Sequence, residues 1–217
     1  MSFKDLVITA QTYFPDLKLK YKNQSWFMRL IGFLLFFNKS FMNNFTTTIG
    51  SKVYYPTESF VKARPVSAAV ILLHELVHVK DAKRLSFPLF GFLYLFPQIL
   101  SLFCLPLFLI SWKIALPLII LFALPLPAFF RMYFEKKAYL TSLYAIYQLG
   151  KRMNFRPLLT EQKNDFLNHF KNSHYYFMWP FSNLQQEFDE AEAKIEVGQR
   201  PFEDPFFDII DDLISKM

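Results

Sequence analysis

Apolar positions are distributed unevenly along this chain, and their spacing changes character several times. Trp26 to Phe37 is apolar apart from Arg29 and Gly32. A helix of that length reaches only about 18 Å, against about 30 Å for a bilayer core, so either a buried or an interfacial helix is expected. Phe45-Thr46-Thr47-Thr48-Ile49, Gly50 and Lys52-Val53-Tyr54-Tyr55-Pro56 place β-branched and aromatic residues on both sides of a glycine. That pattern predicts extended chain, in the form of a short hairpin ended by Pro56. From Pro65 the pattern turns helical, since proline suits a first helical turn and Ser67 to Val79 contains neither Gly nor Pro.

Two long uncharged runs follow, Phe87 to Ile110 and Ile114 to Phe130, separated by Trp112 and Lys113. Each is long enough for a membrane helix, the second near the lower limit of about 17 residues. Pro88, Pro97, Pro106, Pro117, Pro125 and Pro127 predict kinks within them. Beyond Arg131 the chain is polar and helical through Gly150, with a further helix over Thr160 to Asn172. Ser182 and Gln185 have capping-box spacing, and Gly198 stands where the helix they open should end. Asp204-Pro205 opens a last helix that carries Phe206, Ile209, Ile210 and Leu213 on one face. Its opposite face holds Asp208, Asp211 and Asp212, so it should dock on protein and not on anionic lipid.

These elements predict a mainly α (α+β) fold with a small β edge-strand element and an inserted two-helix transmembrane hairpin. The divisions fall at 1–86, 87–130 and 131–217: an N-terminal part, the hairpin, and a C-terminal part that completes the domain. Composition agrees with the insertion, since 53% of the 217 residues are apolar and 28 are Phe, more than one soluble core of this size needs. The net charge of +6 does not form a basic block interleaved with aromatics. This favours a lipid bilayer over nucleic acid as the partner. Cys104 is the single cysteine, which excludes an internal disulfide and any site built from several thiolates. Met1 to Gln11 lacks the apolar stretch of a signal peptide.

The chemistry is concentrated in His74-Glu75-Leu76-Val77-His78, which uses two of the four histidines. Residues four apart stand on one helix face, so both imidazoles can aim at one ion. Glu75 can then reach a water on that ion and act as general base. This is the His-Glu-x-x-His arrangement of metalloproteases. Zinc needs a third ligand, and Glu135, early in the helix after the second uncharged run, is the candidate. The alternative for Glu135 is a snorkelling charge at the membrane surface. Ala138, three residues on, would let its helix approach the histidine helix. Two crossings return the chain to the starting side, so Glu135 can meet His74 and His78.

The arrangement resembles the gluzincin metallopeptidases, and within them the membrane-embedded HtpX-like and CAAX prenyl protease group. There a His-Glu-x-x-His helix is separated by membrane helices from a Glu-x-x-Ala-Asp-type motif. The resemblance covers roughly Phe45 to Gly150. It implies His74, His78 and Glu135 as ligands of one zinc ion, Glu75 as base, and the extended segment before the zinc helix as an edge strand that binds substrate backbone. The family often has Asp, a group that orients a ligand histidine, where this chain has Tyr139. Asp81 is a candidate for that role, or else pairs with a nearby lysine or arginine. Tyr139, His174, Tyr175 and Tyr176 are chemically able to stabilise a transition state. A site-2-protease arrangement is rejected, because neither uncharged run contains the Asp ligand it requires.

The resulting expectation is a membrane-anchored, zinc-dependent endopeptidase acting on a peptide or protein substrate near the membrane surface. The alternative is a non-catalytic membrane or assembly protein with a structural or vestigial zinc site. A multi-pass topology with the catalytic side cytoplasmic is expected from Lys80, Lys83 and Arg84 before the insertion and Arg131, Lys136 and Lys137 after it, against Lys113 alone between them.

Overall fold

The computed structural model describes residues 3–35, 40–155, 157–171 and 182–217. It is mainly helical, with one small sheet. In chain order the elements before the histidine motif are α1 (Phe3–Tyr13), β1 (Lys18–Tyr21), a 3₁₀ turn (Lys22–Gln24), α2 (Trp26–Leu34), α3 (Ser40–Asn43), β2 (Thr47–Ile49), β3 (Lys52–Tyr55) and α4 (Glu58–Ala63). Then come α5 (Pro65–Leu85), α6 (Phe87–Leu95), α7 (Leu100–Phe103), a 3₁₀ segment (Leu105–Leu109), α8 (Trp112–Ala123), α9 (Phe129–Arg152), α10 (Leu159–Lys171), α11 (Leu184–Glu196) and α12 (Phe206–Ser215).

The hairpin around Gly50 forms as the β-branched pattern predicts, β2 pairing antiparallel with β3 and Thr48 opposite Val53. Gly50 has φ +58, a left-handed turn position that a glycine fills without steric cost. β1 joins the other side of β3 in parallel, giving the order β1-β3-β2 and leaving β2 at an edge. Tyr55, fully buried, donates from its hydroxyl to Ala68 O at 2.7 Å and so ties the sheet to α5.

One core joins the chain on both sides of the insertion. Leu6 of α1, Val53 and Tyr55 of β3, Leu72, Leu73 and Leu76 of α5, Leu143 of α9 and Phe207 and Leu213 of α12 belong to the same buried cluster. The last helix docks as its pattern predicts. Its apolar side is buried, while Asp208 and Asp211 face Arg200 and Asp212 faces Tyr13 and Lys216. Asp204 Oδ1 caps it, accepting from Phe206 N at 2.9 Å. Gly198, at φ +81, ends α11, and Gln199 N donates back to Lys194 O at 2.9 Å.

One local expectation is corrected. The capping box does not form: Asn183 is the residue before α11, the Ser182 hydroxyl has no hydrogen-bond partner, and Gln185 reaches forward to Asp189. The two uncharged runs are broken at Pro97 and before Pro125, where their prolines predict kinks. Among the described residues no single helix is long and apolar enough to cross a membrane. Phe87–Leu95 and Leu100–Leu109 together have the length and composition of a span, but they meet at a bend of 98°. The break falls at Phe96, held extended (φ −73, ψ 137) before Pro97, where the proline ring disfavours helical backbone. α8 keeps Pro117 inside it but stops at Ala123, with Leu124 extended before Pro125.

Candidate metal centre

The site is built where α5 packs on α9. On α9, Ala138, Ser142 and Ala145 are buried and spaced along one face, a seam of small side chains that lets the helix axes come close. Glu135 lies one turn before Ala138 on that face and is 3% exposed. His74 and His78 present their rings one turn apart on α5, with centroids 5.1 Å apart. His74 Nε2 lies 3.4 Å from Glu135 Oε2, and His78 Nε2 lies 3.5 Å from Glu135 Oε1. One ligand atom from each of the three residues falls within 4.8 Å of the others, so the group could hold a metal ion. The snorkelling alternative for Glu135 is thereby set aside.

Electrostatics favour opposite charges on His78 and Glu135. Burial opposes the charge on both Glu135 and His78, yet their mutual attraction outweighs it. Glu135 is held well below the usual carboxylate range by His78 and His74. His78 is raised to about 8 by Glu135, with smaller contributions from Glu75 and Asp81. Glu135 Oε2 is buried, accepts no hydrogen bond and lies 3.4 Å from His74 Nε2. Glu75 is buried on α5 but stands outside the three-residue ligand group.

The shell around the ligands was only partly legible. Ser142, not singled out from sequence, supports His74: its Oγ lies 3.2 Å from His74 Nδ1 and donates to Ala138 O at 3.0 Å. Because the single hydroxyl hydrogen goes to Ala138, Ser142 accepts from Nδ1–H, which leaves the Nε2 lone pair of His74 free to ligate. Ser142 is two helical turns after Glu135, a spacing that could have marked it. Tyr139 packs the edge of its ring on His74, centroids 4.8 Å apart, while its hydroxyl meets His169 Nδ1 at 3.0 Å. Asp81 is fully buried but makes no hydrogen bond to His78, whose Nδ1 is also without one; its cation is Arg84, at 3.4 Å. The pairing alternative for Asp81 is what the structure contains. His174, Tyr175 and Tyr176 lie outside the described residues.

Two further groups were missed. Tyr94 of α6 donates from its hydroxyl to Glu135 Oε1. Lys22, in the 3₁₀ turn after β1, is fully buried; its Nζ donates to Phe41 O at 2.7 Å and lies 3.8 Å from the centre of the Phe41 ring. Burial lowers the Lys22 ammonium to about 7, against the opposing pull of the Glu75 charge. Neither residue has a sequence spacing that links it to the motif. No protein-family model matches the chain, and neither a curated protein nor a solved structure does.

Proposed function

We propose that this chain is a membrane-anchored zinc endopeptidase of the gluzincin type, with His74, His78 and Glu135 as ligands and Glu75 as general base. The observation that carries the reading is the convergence of the three ligand atoms within 4.8 Å, with Glu75 next to His74 in sequence yet outside the group. Two imidazole nitrogens and one carboxylate oxygen are a donor set of catalytic zinc, which keeps its fourth position for water. When bound, zinc would supply an acidified water and a polarised substrate carbonyl. Glu75 takes the proton of the attacking water and delivers it to the leaving amine. Ser142 and the Tyr139 ring hold the His74 imidazole in place. The outer edge of β2, which pairs with no strand among the described residues, offers backbone groups to an extended peptide.

The test is zinc content beside a peptidase assay on an unfolded protein substrate, with the full chain in detergent. Glu75→Gln should retain zinc and lose activity by about 100-fold or more, the usual reach of a general base. His78→Ala should lose both. Equal loss of zinc in Glu75→Gln, or full activity, overturns the assignment. One observation favours the non-catalytic reading: His78 Nδ1 is buried without the partner that ligand histidines ordinarily have. A wild-type chain that holds zinc and cleaves no peptide would select a structural or vestigial site.

The membrane anchor is proposed to be α6 to α8. Leu102, Phe103, Leu109, Ile110 and Trp112 are all more than half exposed, Leu109 at 92%. So many exposed large apolar side chains in one segment are suited to lipid. The excess of Lys and Arg flanking the insertion supports a cytoplasmic catalytic side. A C-terminal reporter should behave as cytoplasmic. A cysteine at Lys113 distinguishes a full crossing, labelled from outside by an impermeant thiol reagent, from a re-entrant insertion, which is protected.

A further inference from the structure

The apolar insertion does more than flank the metal centre. Tyr94 and Phe90, one turn apart on α6, both face the ligands: the Tyr94 ring lies 6.0 Å from that of His78 and the Phe90 ring 6.1 Å from it. The Tyr94 hydroxyl donates to Glu135 Oε1. Glu135 Oε2 accepts nothing and lies 3.4 Å from His74 Nε2. The two carboxylate oxygens are therefore unequal, and the difference is made by a residue of the insertion.

Tyr94 is itself held from α9. Arg131, one turn before Glu135 and only 5% exposed, donates from Nε to Tyr94 O at 2.9 Å. Its guanidinium lies 5.3 Å from the centre of the Tyr94 ring, and its Nη2 donates to Gln98 Oε1 at 3.2 Å. Gln98 in turn donates to Leu126 O at 2.8 Å, joining the break after α6 to the stretch before α9. Arg131 thus clamps the break after α6 to the start of α9, and the same helix face presents Glu135 to the phenol.

Resting on the zinc reading, we infer that Tyr94 is a positioning residue that engages one oxygen of Glu135 and leaves Oε2 as the oxygen for the metal, so that the docked insertion is part of the metal centre. Without the phenol the carboxylate can turn and offer both oxygens, which raises the coordination number. Residues that orient a metal ligand are typically worth about 10- to 100-fold in affinity.

Cobalt(II), whose visible absorption weakens as coordination rises from four to five or six, is the probe, titrated into the full chain in detergent. Tyr94→Phe should weaken cobalt binding by about 10-fold or more and reduce the visible absorption. Arg131→Gln should act in the same direction through the clamp. Phe90→Leu, which alters packing on the rings of both His78 and Tyr94 but removes no hydrogen bond to Glu135, should lower thermal stability and leave the spectrum as in wild type. Wild-type affinity and spectrum in Tyr94→Phe overturn the inference and leave the zinc reading standing. Equal spectral changes in Tyr94→Phe and Phe90→Leu also overturn it, since they would show a packing effect alone. A wild-type chain that binds no cobalt overturns the reading of the site, and this inference with it.

Discussion

His78 Nε2 lies 3.5 Å from Glu135 Oε1, across the contact between α5 and α9. The contact joins two helices separated in sequence by the whole apolar insertion. Either the carboxylate and the imidazoles share a proton, or they share a metal ion. Glu135→Gln keeps the shape and removes the charge. Loss of a ligand charge should exceed the 10- to 100-fold typical of losing a supporting residue, so zinc affinity should fall by more than about 100-fold, measured by competition with a chelator. Unchanged affinity would remove Glu135 from the ligand set.

Ser142 accepts from His74 Nδ1 and fixes the tautomer whose Nε2 lone pair is free. Ser142→Ala should weaken zinc binding by about 10-fold while the helical circular dichroism stays as in wild type. Tight zinc binding in that variant would leave the Tyr139 edge contact as the orienting interaction.

Lys22 gives a prediction in pH. Burial lowers its ammonium from 10.5 to about 7 in the folded chain. Between those values the unfolded chain holds a proton there that the folded chain does not, so stability rises with pH across that window. The cost of the buried charge is complete below about 7 and is relieved as pH climbs towards 10.5. Relative to Lys22→Met, wild type should therefore gain stability on going from pH 7 to pH 10, in denaturant melts of the metal-free protein. A constant difference between the two chains would mean that Lys22 keeps an ordinary ammonium.

Gly150, near the end of α9, has no room for a methyl group. A Cβ there would stand 2.5 Å from Pro157 Cδ and 2.7 Å from the Phe155 carbonyl oxygen. The second clash is with backbone and cannot be relieved by a side-chain rotation. Gly150→Ala should destabilise by about 1–3 kcal/mol, despite the better helix propensity of alanine, as overpacking does. Thermal melts of the two chains decide it, and a stabilised variant would show that Phe155 and Pro157 yield easily.

Interactions within one helix turn were legible in the sequence. His74 and His78 share a face because a helix repeats every 3.6 residues, and nothing distant is needed to know it. The hairpin at Gly50, the start of α5 at Pro65, the end of α11 at Gly198 and the amphipathic α12 are local in the same sense. Glu135 could be proposed from its place after the insertion, but its meeting with the histidines depends on Ala138, Ser142 and Ala145 letting α9 come close to α5. Arg131 shows the limit most clearly. As sequence it is a flanking cation; in the fold it is buried and hydrogen-bonded to Tyr94 and Gln98, because α6 packs on α9 and the chain breaks at Phe96 beside it. Ser142, Tyr94 and Lys22 acquire their partners from elements far along the chain, and hydrophobic periodicity does not encode which polar atoms will then be enclosed together. The sequence by itself determined the chemistry available on each helix face. Packing decided which faces meet, and so which oxygen of Glu135 is engaged by Tyr94 and which lies open beside His74.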